Sequence, residues 1–179
     1  MKKVFLKSVV MGIILAATMN VTAVAQKGEK AVGANLLYGS MTGYSNLGLG
    51  AKFFYNVTDP IRLAGEFDYF LKKNYTSIWD VSVYGHYLFP AAEKMKVFPS
   101  VGLGVVGTSV SVPTIAIPGM GEVGGGSLSS SNLAISLGGG LDYDLTSNLL
   151  FNAELRYKII TGNGSGSWLN IAVGVAYKF

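Results

Sequence analysis

The sequence has no cysteine, a single histidine and few charged residues. Without cysteine the chain forms neither a disulfide framework nor a lipoprotein anchored through a cysteine, and one histidine, His86, excludes multi-histidine metal sites. Only 13% of the residues are charged, whereas 50% are hydrophobic and 24 are glycine. Beyond the first 25 residues no apolar run approaches the roughly 20 residues of a membrane-spanning helix. The apolar content is therefore spread over shorter elements.

Residues 1–25 are predicted to be a cleaved signal peptide. Three lysines form a positive segment, residues 9–17 are apolar, and Ala23-Val24-Ala25 has the small-x-small pattern of a cleavage site before Gln26. The apolar stretch is too short for a signal anchor. Without these three of its 14 basic residues the chain has 11 against 10 acidic ones, which does not support nucleic-acid binding. We predict one exported domain, residues 26–179.

Eight segments of this domain alternate apolar residues with small or polar ones. In the last segment the odd-numbered residues from Leu169 to Phe179 are apolar, and the even-numbered ones are small or polar. Successive side chains of a strand point to opposite faces, so each segment has one apolar face. Most of the segments have about the 9–11 residues with which a tilted strand crosses a bilayer. The predicted strands are 31–38, 47–57, 61–71, 78–89, 97–105, 133–143, 149–159 and 169–179.

The connections between these segments alternate in length. Residues 57–60, 90–96 and 145–148 are rich in turn-forming residues and predict periplasmic turns. The other connections predict extracellular loops, at 39–46, 72–77, 107–131 and 161–167. Aromatic residues near the strand ends of the apolar face predict girdles at the two membrane interfaces. Pro99 interrupts the fifth segment, where it predicts a strand start or a bulge.

The export signal, the eight alternating segments and the closing Val173-Gly174-Val175-Ala176-Tyr177-Lys178-Phe179 resemble the small outer-membrane barrels of Gram-negative bacteria, of the OmpX/Ail and OmpA-barrel kind. The resemblance implies an all-β, eight-stranded antiparallel up-and-down barrel, in contact with outer-membrane lipid and lipopolysaccharide. It also implies that Tyr177 and Phe179 are recognised by the outer-membrane insertion machinery. No peptidoglycan-binding domain follows Phe179, so a full OmpA-like protein is not expected.

The small or polar face carries five basic and five acidic residues. An eight-stranded barrel is just wide enough for its side chains to fill, so these charges predict an ion-paired plug of the lumen. The alternative is a narrow, porin-like channel along the same residues. The acidic pairs on this face could also hold a cation, although the basic residues beside them favour ion pairing. The predicted lumen network is Lys52, Arg62, Glu66, Asp68, Asp80, Asp142, Glu154, Arg156, Lys158 and Lys178.

Two features that could indicate enzymatic chemistry have simpler explanations. Residues 102–107 match the pattern G-x-G-x-x-G, but residues 108–113 do not begin a helix, so glycines that relieve crowding in a small barrel explain the match better. His86 shares a strand face with Ser82, but the two lie about 13 Å apart along a strand, too far for a Ser-His hydrogen bond. We predict no catalytic, cofactor-binding or metal site and no enzymatic activity.

A soluble, lipocalin-like barrel is the alternative fold, because it alternates in the same way but buries its apolar face around a ligand. Three observations favour lipid on the apolar side. That side is nearly free of charge, glycine concentrates on the opposite side, and the chain ends on an aromatic residue.

The longest predicted loop, 107–131, is the candidate contact surface for an extracellular protein. Its first residues alternate serine with valine, which suggests that two strands continue beyond the bilayer and expose an edge able to pair with a partner. Residues 124–131 are predicted to be a mobile tip. The predicted function is a scaffold that presents loops for adhesion or for envelope or host interaction. The predicted contact residues are Ser109, Val110, Ser111, Val112, Thr114, Ile115 and Ile117.

Overall fold

The computed structural model of the chain describes residues 26–41, 44–117, 121–162 and 166–179, so the predicted signal peptide lies outside the described residues. Within them we find nine β-strands, and no helix long and apolar enough to span a membrane. The strands are β1 (Lys30–Met41), β2 (Tyr44–Asn56), β3 (Ile61–Lys73), β4 (Thr76–Tyr87), β5 (Phe89–Ala92), β6 (Met95–Ile117), β7 (Gly121–Asp144), β8 (Leu149–Ile160) and β9 (Gly166–Lys178).

The strands form one closed antiparallel sheet. β1 pairs with both β2 and β9, and β4 pairs with β6, which joins the two ends of the sheet. β5 continues β4 along the same edge of β6, so the nine strands fill eight positions around the barrel. The predicted eight-stranded up-and-down barrel is confirmed.

Pro99 explains why β4 and β5 are separate strands. The β4–β6 register ends at His86 opposite Ser100, and the β5–β6 register begins at Phe89 opposite Val97. Pro99 lies between these pairs and has no N–H to donate to β4. On the other side of β4 the N–H of Leu88 donates to the Pro60 carbonyl at 2.7 Å. The β6–β7 register passes Pro99 without a shift, so the proline interrupts only one of the two ladders.

The two faces of the barrel wall are polarised as in a membrane barrel. Apolar side chains cover the outside, where Phe67 is 49% and Leu155 51% exposed, whereas charged side chains are buried in the lumen. In a lipocalin-like barrel these apolar side chains would line the cavity. The structure therefore contradicts the soluble alternative.

The hairpin of β6 and β7 is much longer than its neighbours, at 23 and 24 residues. Pairing with β4 ends at Val110 opposite Thr76, and pairing with β8 ends at Ala134 opposite Ile160. Above these points the two strands pair with each other as far as Ile117 and Gly121. We call residues 111–117 and 121–132 the projecting ribbon. Residues 124–131, predicted to be a mobile tip, lie in β7.

Candidate functional site

The centre of the lumen holds four buried charges that bridge opposite walls of the barrel. The Arg156 guanidinium on β8 donates to both carboxylate oxygens of Glu66 on β3, at 2.6 and 2.7 Å, and its Nε donates to Glu154 at 2.8 Å. Lys52 on β2 donates to Glu154 at 2.8 Å and lies 3.6 Å from Glu66. Two cations thus face two carboxylates. Bidentate Arg–carboxylate pairs combine strength with fixed geometry, so this centre is rigid.

A second group of charges lies nearer the periplasmic end. Arg62 pairs with Asp142, and its Nε also donates to Nδ1 of His86 at 3.1 Å. The guanidinium lies 4.1 Å from the centre of the Phe54 ring, and the His86 ring stacks on Phe98 at 4.5 Å. Because Nδ1 accepts from a cation, His86 serves as a neutral hydrogen-bond acceptor.

At the periplasmic mouth Asp144 lies between two lysines. Lys178 donates to one of its oxygens at 2.8 Å, and Lys96 donates to the other at 3.4 Å. Lys178 belongs to the predicted network, whereas Lys96 and Asp144 do not. Both residues occupy positions of their strands that alternate in step with the other lumen residues, so the sequence pattern could have identified them.

Toward the extracellular side Lys158 pairs with Asp80, and the Ser82 hydroxyl donates to Asp80 at 2.5 Å. Asp68 lies across from Asp80 on β3 and is 1% exposed, but it makes no ion pair or hydrogen bond with the described residues. The structure therefore brings nine of the ten predicted network residues into ion pairs, and Asp68 stands apart. No cluster of three acidic or histidine residues suited to a metal ion occurs in the described part of the chain.

A layer of buried apolar side chains lies above these charges, on the extracellular side of the lumen. Phe70 and Trp168 point inward with ring centres 4.7 Å apart, and both are fully buried. Their buried neighbours in this layer are Leu37, Ile78, Val106, Ala134, Ile160 and Ala172. The sequence analysis missed this layer. Its signal is a change on the polar face of β3, β4 and β9, where apolar residues follow Asp68, Asp80 and Asn170 toward the extracellular end.

The glycines of the G-x-G-x-x-G match provide room for larger side chains. A Cβ at Gly102 would lie 2.3 Å from the Tyr84 ring, and one at Gly104 would lie 2.0 Å from the Ser82 hydroxyl. Gly107 lies under the indole of Trp79 on the outer face. All three lie in β6, so no helix N-terminus is present for a phosphate.

The projecting ribbon reverses the polarity of the barrel wall. The constant β6–β7 register places Ser109 opposite Ser129 and Ser111 opposite Ser127, on the side that is lipid-facing lower down. Val110 lies opposite Leu128, which is 71% exposed, on the side that continues the lumen face. The predicted contact residues Ser109, Val110, Ser111 and Val112 all lie in β6 here, as do the backbones of Thr114, Ile115 and Ile117.

The C-terminal aromatics, Tyr177 and Phe179, lie on the outside of the barrel and are more than half exposed. Phe179 closes the last strand against the first, because its N–H donates to the Lys30 carbonyl at 2.9 Å and its carbonyl accepts from the Lys30 N–H at 3.3 Å.

A family model described as outer membrane protein beta-barrel domain matches residues 11–179. The chain belongs to this family. Membership in the outer membrane protein beta-barrel family and the lipid-facing apolar wall locate the chain in the outer membrane. No curated protein sequence matches the chain significantly.

Solved outer-membrane barrels share the fold. Neisserial surface protein A superposes with a TM-score of 0.63 at 17% identity, over 84% of this chain and 96% of that protein. Ail, the attachment invasion locus protein of Yersinia pestis, gives 0.56 at 17% identity, over 86% and 100%. A further structure of Ail contains the heparin analogue sucrose octasulfate. OprG, an outer membrane protein of Pseudomonas aeruginosa, gives 0.52 at 15% identity, over 87% and 98%. At these identities the likeness concerns the fold.

Proposed function

We propose that this outer-membrane barrel is a rigid scaffold that presents the projecting ribbon to extracellular partners, for adhesion or for envelope or host interaction. The observation that carries the proposal is the ribbon itself, a two-stranded extension that pairs with no other strand above Val110 and Leu133 in the described residues. A two-stranded ribbon is marginally stable alone and exposes unpaired backbone groups on both edges. These edges are available for pairing with an extended segment of another protein.

The nature of the ribbon surface favours contacts through backbone groups and small side chains. Within residues 111–132 the sequence has one charged residue, Glu122. Ail shares the fold and has been solved with a heparin analogue. Residues 111–132 contain no lysine or arginine that would attract such a polyanion. At its base Lys72 donates to the Ser111 hydroxyl at 2.9 Å. An uncharged, extended protein segment is the partner class that this surface suits best.

Replacing residues 111–127 by Asn-Gly tests this proposal. Val110 and Leu128 lie directly opposite each other, so a two-residue turn joins them without a change of register. We expect the shortened barrel to fold, because every barrel pairing is kept, and cells that express it to adhere to epithelial monolayers no better than cells without the protein. Adhesion and heat-modifiable gel migration are the measurements.

The control for this experiment alters a different extracellular turn. Tyr75 has a φ of 64° and an exposed side chain, so Tyr75→Gly removes a large side chain from the β3–β4 turn without backbone strain. Adhesion should persist in this variant. Retained adhesion in the correctly inserted ribbon deletion would place the function in another loop or in the lumen.

We propose further that the lumen is a plug. Its central charges are ion-paired across the barrel, and the Phe70–Trp168 layer covers them on the extracellular side. A narrow channel for ions or small solutes is the alternative that the same inward charges would serve.

Planar-bilayer recordings separate these two possibilities. We expect no steady conductance from the wild-type barrel, and none from a Phe70→Ala/Trp168→Ala variant, because the ion-paired centre stays intact when the apolar layer is removed. Steady ion current through wild-type barrels would favour the channel.

We also propose two contacts of the barrel wall. Lipopolysaccharide and outer-membrane lipid would contact the outward apolar residues, and Tyr177 with Phe179 would be recognised by the insertion machinery during assembly. The support for the second contact is that both side chains point outward at the closing strand, where another protein can reach them.

A further inference from the structure

A ring of buried polar side chains lies directly below the Phe70–Trp168 layer, on its periplasmic side. Successive inward residues of a strand are two positions apart, so Asp68 follows Phe70 on β3 and Asn170 follows Trp168 on β9. The same step from other residues of the layer gives the members on β1, β4, β7 and β8. We call this set the polar ring, and none of its members is more than 3% exposed: Asn35, Asp68, Asp80, Ser136, Lys158 and Asn170.

The polar ring carries two carboxylates but only one ammonium group. Lys158 pairs with Asp80, and Asp68 lies directly opposite Asp80 on the neighbouring strand without an ion pair in the described residues. The centre of the lumen below is balanced, with two cations against two carboxylates. A buried charge without compensation is costly. One further positive charge would balance this level of the lumen.

The neutral members of the ring offer oxygen atoms around Asp68. The side-chain oxygens of Asn35, Asn170 and Ser136 are buried like Asp68 Oδ1, and all four lack a hydrogen-bond partner in the described residues. Buried polar atoms in native proteins are satisfied by protein groups, water or an ion. A proton on Asp68 would need only one acceptor, whereas several oxygens around a carboxylate suit a hard cation. The two amide nitrogens, also without a partner, can donate to water molecules of such an ion.

Glycines on the lumen face leave room for these oxygens. Gly50 lies directly opposite both Asn35 and Asp68, and a Cβ at this position would lie 2.2 Å from Asp68 Oδ1. The carboxylate of Asp68 thus extends over Gly50 toward the strand that holds Asn35. Gly174 lies opposite Asn35 on the other side, and a Cβ there would lie 2.3 Å from Asn35 Oδ1. Both oxygens occupy space that a larger residue would fill.

We propose that the polar ring binds one monovalent alkali cation and that Asp68 is its anionic ligand. Its neutral ligands are the oxygens of Asn35, Ser136 and Asn170, bound directly or through water. A single positive charge compensates Asp68, whereas a divalent ion would place an excess of positive charge beside Lys158. The site does not depend on the function of the ribbon, and it adds a bound ion to the lumen.

Urea unfolding of residues 26–179 in phosphatidylcholine vesicles tests the site, with sodium as the probe. Sodium chloride replaces choline chloride in steps at constant total salt, because choline is too large for a buried site and the ionic strength then stays fixed. An ion that binds only the folded barrel increases the folding equilibrium constant by mass action. For the wild type we expect this constant to rise by up to about ten-fold for each ten-fold increase in sodium concentration.

A matched pair of carboxylate variants locates the effect. Asp68→Asn removes the anionic ligand and nearly keeps the shape of the side chain, so its folding constant should be the same in sodium and choline chloride. Asp144→Asn is the control, because Asp144 pairs with two lysines at the periplasmic mouth, away from the polar ring. This variant should keep the sodium dependence of the wild type.

Asn170→Ala tests a neutral ligand without changing any charge. Loss of one oxygen weakens the site, so the folding constant should begin to rise at higher sodium concentrations than in the wild type. A purely structural role of Asn170 would lower the stability equally in both salts. This variant and the wild type decide the question if Asp68→Asn does not fold.

The cation site would be overturned by wild-type stability that is equal in the two salts, which is the result expected if Asp68 carries a proton instead. Sodium dependence that persists in Asp68→Asn, or an unshifted titration of Asn170→Ala, would also reject the site. Steady conductance of a barrel whose stability depends on sodium through Asp68 would reject the plug and keep the site. A silent barrel without sodium dependence would do the reverse.

Discussion

Replacing Arg156 by leucine is expected to destabilise the barrel by about 3–5 kcal/mol, because removal of one partner of a buried ion pair leaves the other charge uncompensated. Arg156 is 1% exposed and contacts two carboxylates, Glu66 and Glu154. Lys52, which lies 3.6 Å from Glu66 and 2.8 Å from Glu154, would remain as a cation near both. The free energy of unfolding in lipid vesicles, from urea titration, is the measurement.

Two controls separate this effect from a general loss of positive charge. Lys178→Ala also removes one cation, but its pair with Asp144 is partly exposed, so the loss should stay within about 1 kcal/mol. Arg156→Lys keeps the charge without the bidentate geometry and should be milder than Arg156→Leu. Equal losses for Arg156→Leu and Lys178→Ala would show that the central network contributes no more than the rim.

Arginine at Leu155 should cost on the order of 2–4 kcal/mol, because this side chain faces lipid in the middle of β8 and a charge there must leave water. The neighbouring position 156 tolerates arginine because its side chain enters the lumen. Val173→Arg on β9 should behave like Leu155→Arg. Unfolding in lipid vesicles measures both.

Two further substitutions are controls, one at a different depth in the membrane and one on the lumen face of the wall. Leu47 faces outward opposite Tyr38, near the extracellular ends of β1 and β2, and its replacement by arginine should cost about 0–1 kcal/mol. Ala172→Ser changes a lumen position and should be mild. If Leu155→Arg were no more costly than Leu47→Arg, the membrane midplane would not lie at this level of the wall.

The period-two pattern was sufficient to predict the closed barrel, because a strand buried on one side and lipid-covered on the other must alternate. The β1 and β8 predictions, 31–38 and 149–159, lie within Lys30–Met41 and Leu149–Ile160. The same rule predicted the start of β7 at Leu133, whereas the strand begins at Gly121. Apart from Leu128, residues 124–131 are glycine and serine, so the segment has no row of apolar side chains to alternate. Only the folded structure shows that it pairs with β6.

The charged residues of the lumen could be found from their odd or even positions along the strands, here called parity, but their ion-pair partners could not. Glu66 and Arg156 are 90 residues apart in the chain, and only the closure of the sheet brings them together. Asp68 has the same parity as Glu66 but no salt-bridge partner in the described residues, so parity predicts location rather than pairing. Phe70 and Trp168 were missed because inward aromatics were not expected on a face that is polar elsewhere.

The change from apolar to polar residues along the outward side of β6 fixes the depth at which the barrel lies in the membrane. Its outward side changes from Val101, Leu103 and Val105 to Ser109 and Ser111, with the Trp79 indole over Gly107 at the boundary. A shift toward the periplasm would draw the serine hydroxyls into hydrocarbon, whereas a shift outward would bring the leucine and valines into water, and both are unfavourable. The outer side of β6 therefore marks the boundary between hydrocarbon and water. Its amino acids define the height at which the ribbon stands above the membrane surface.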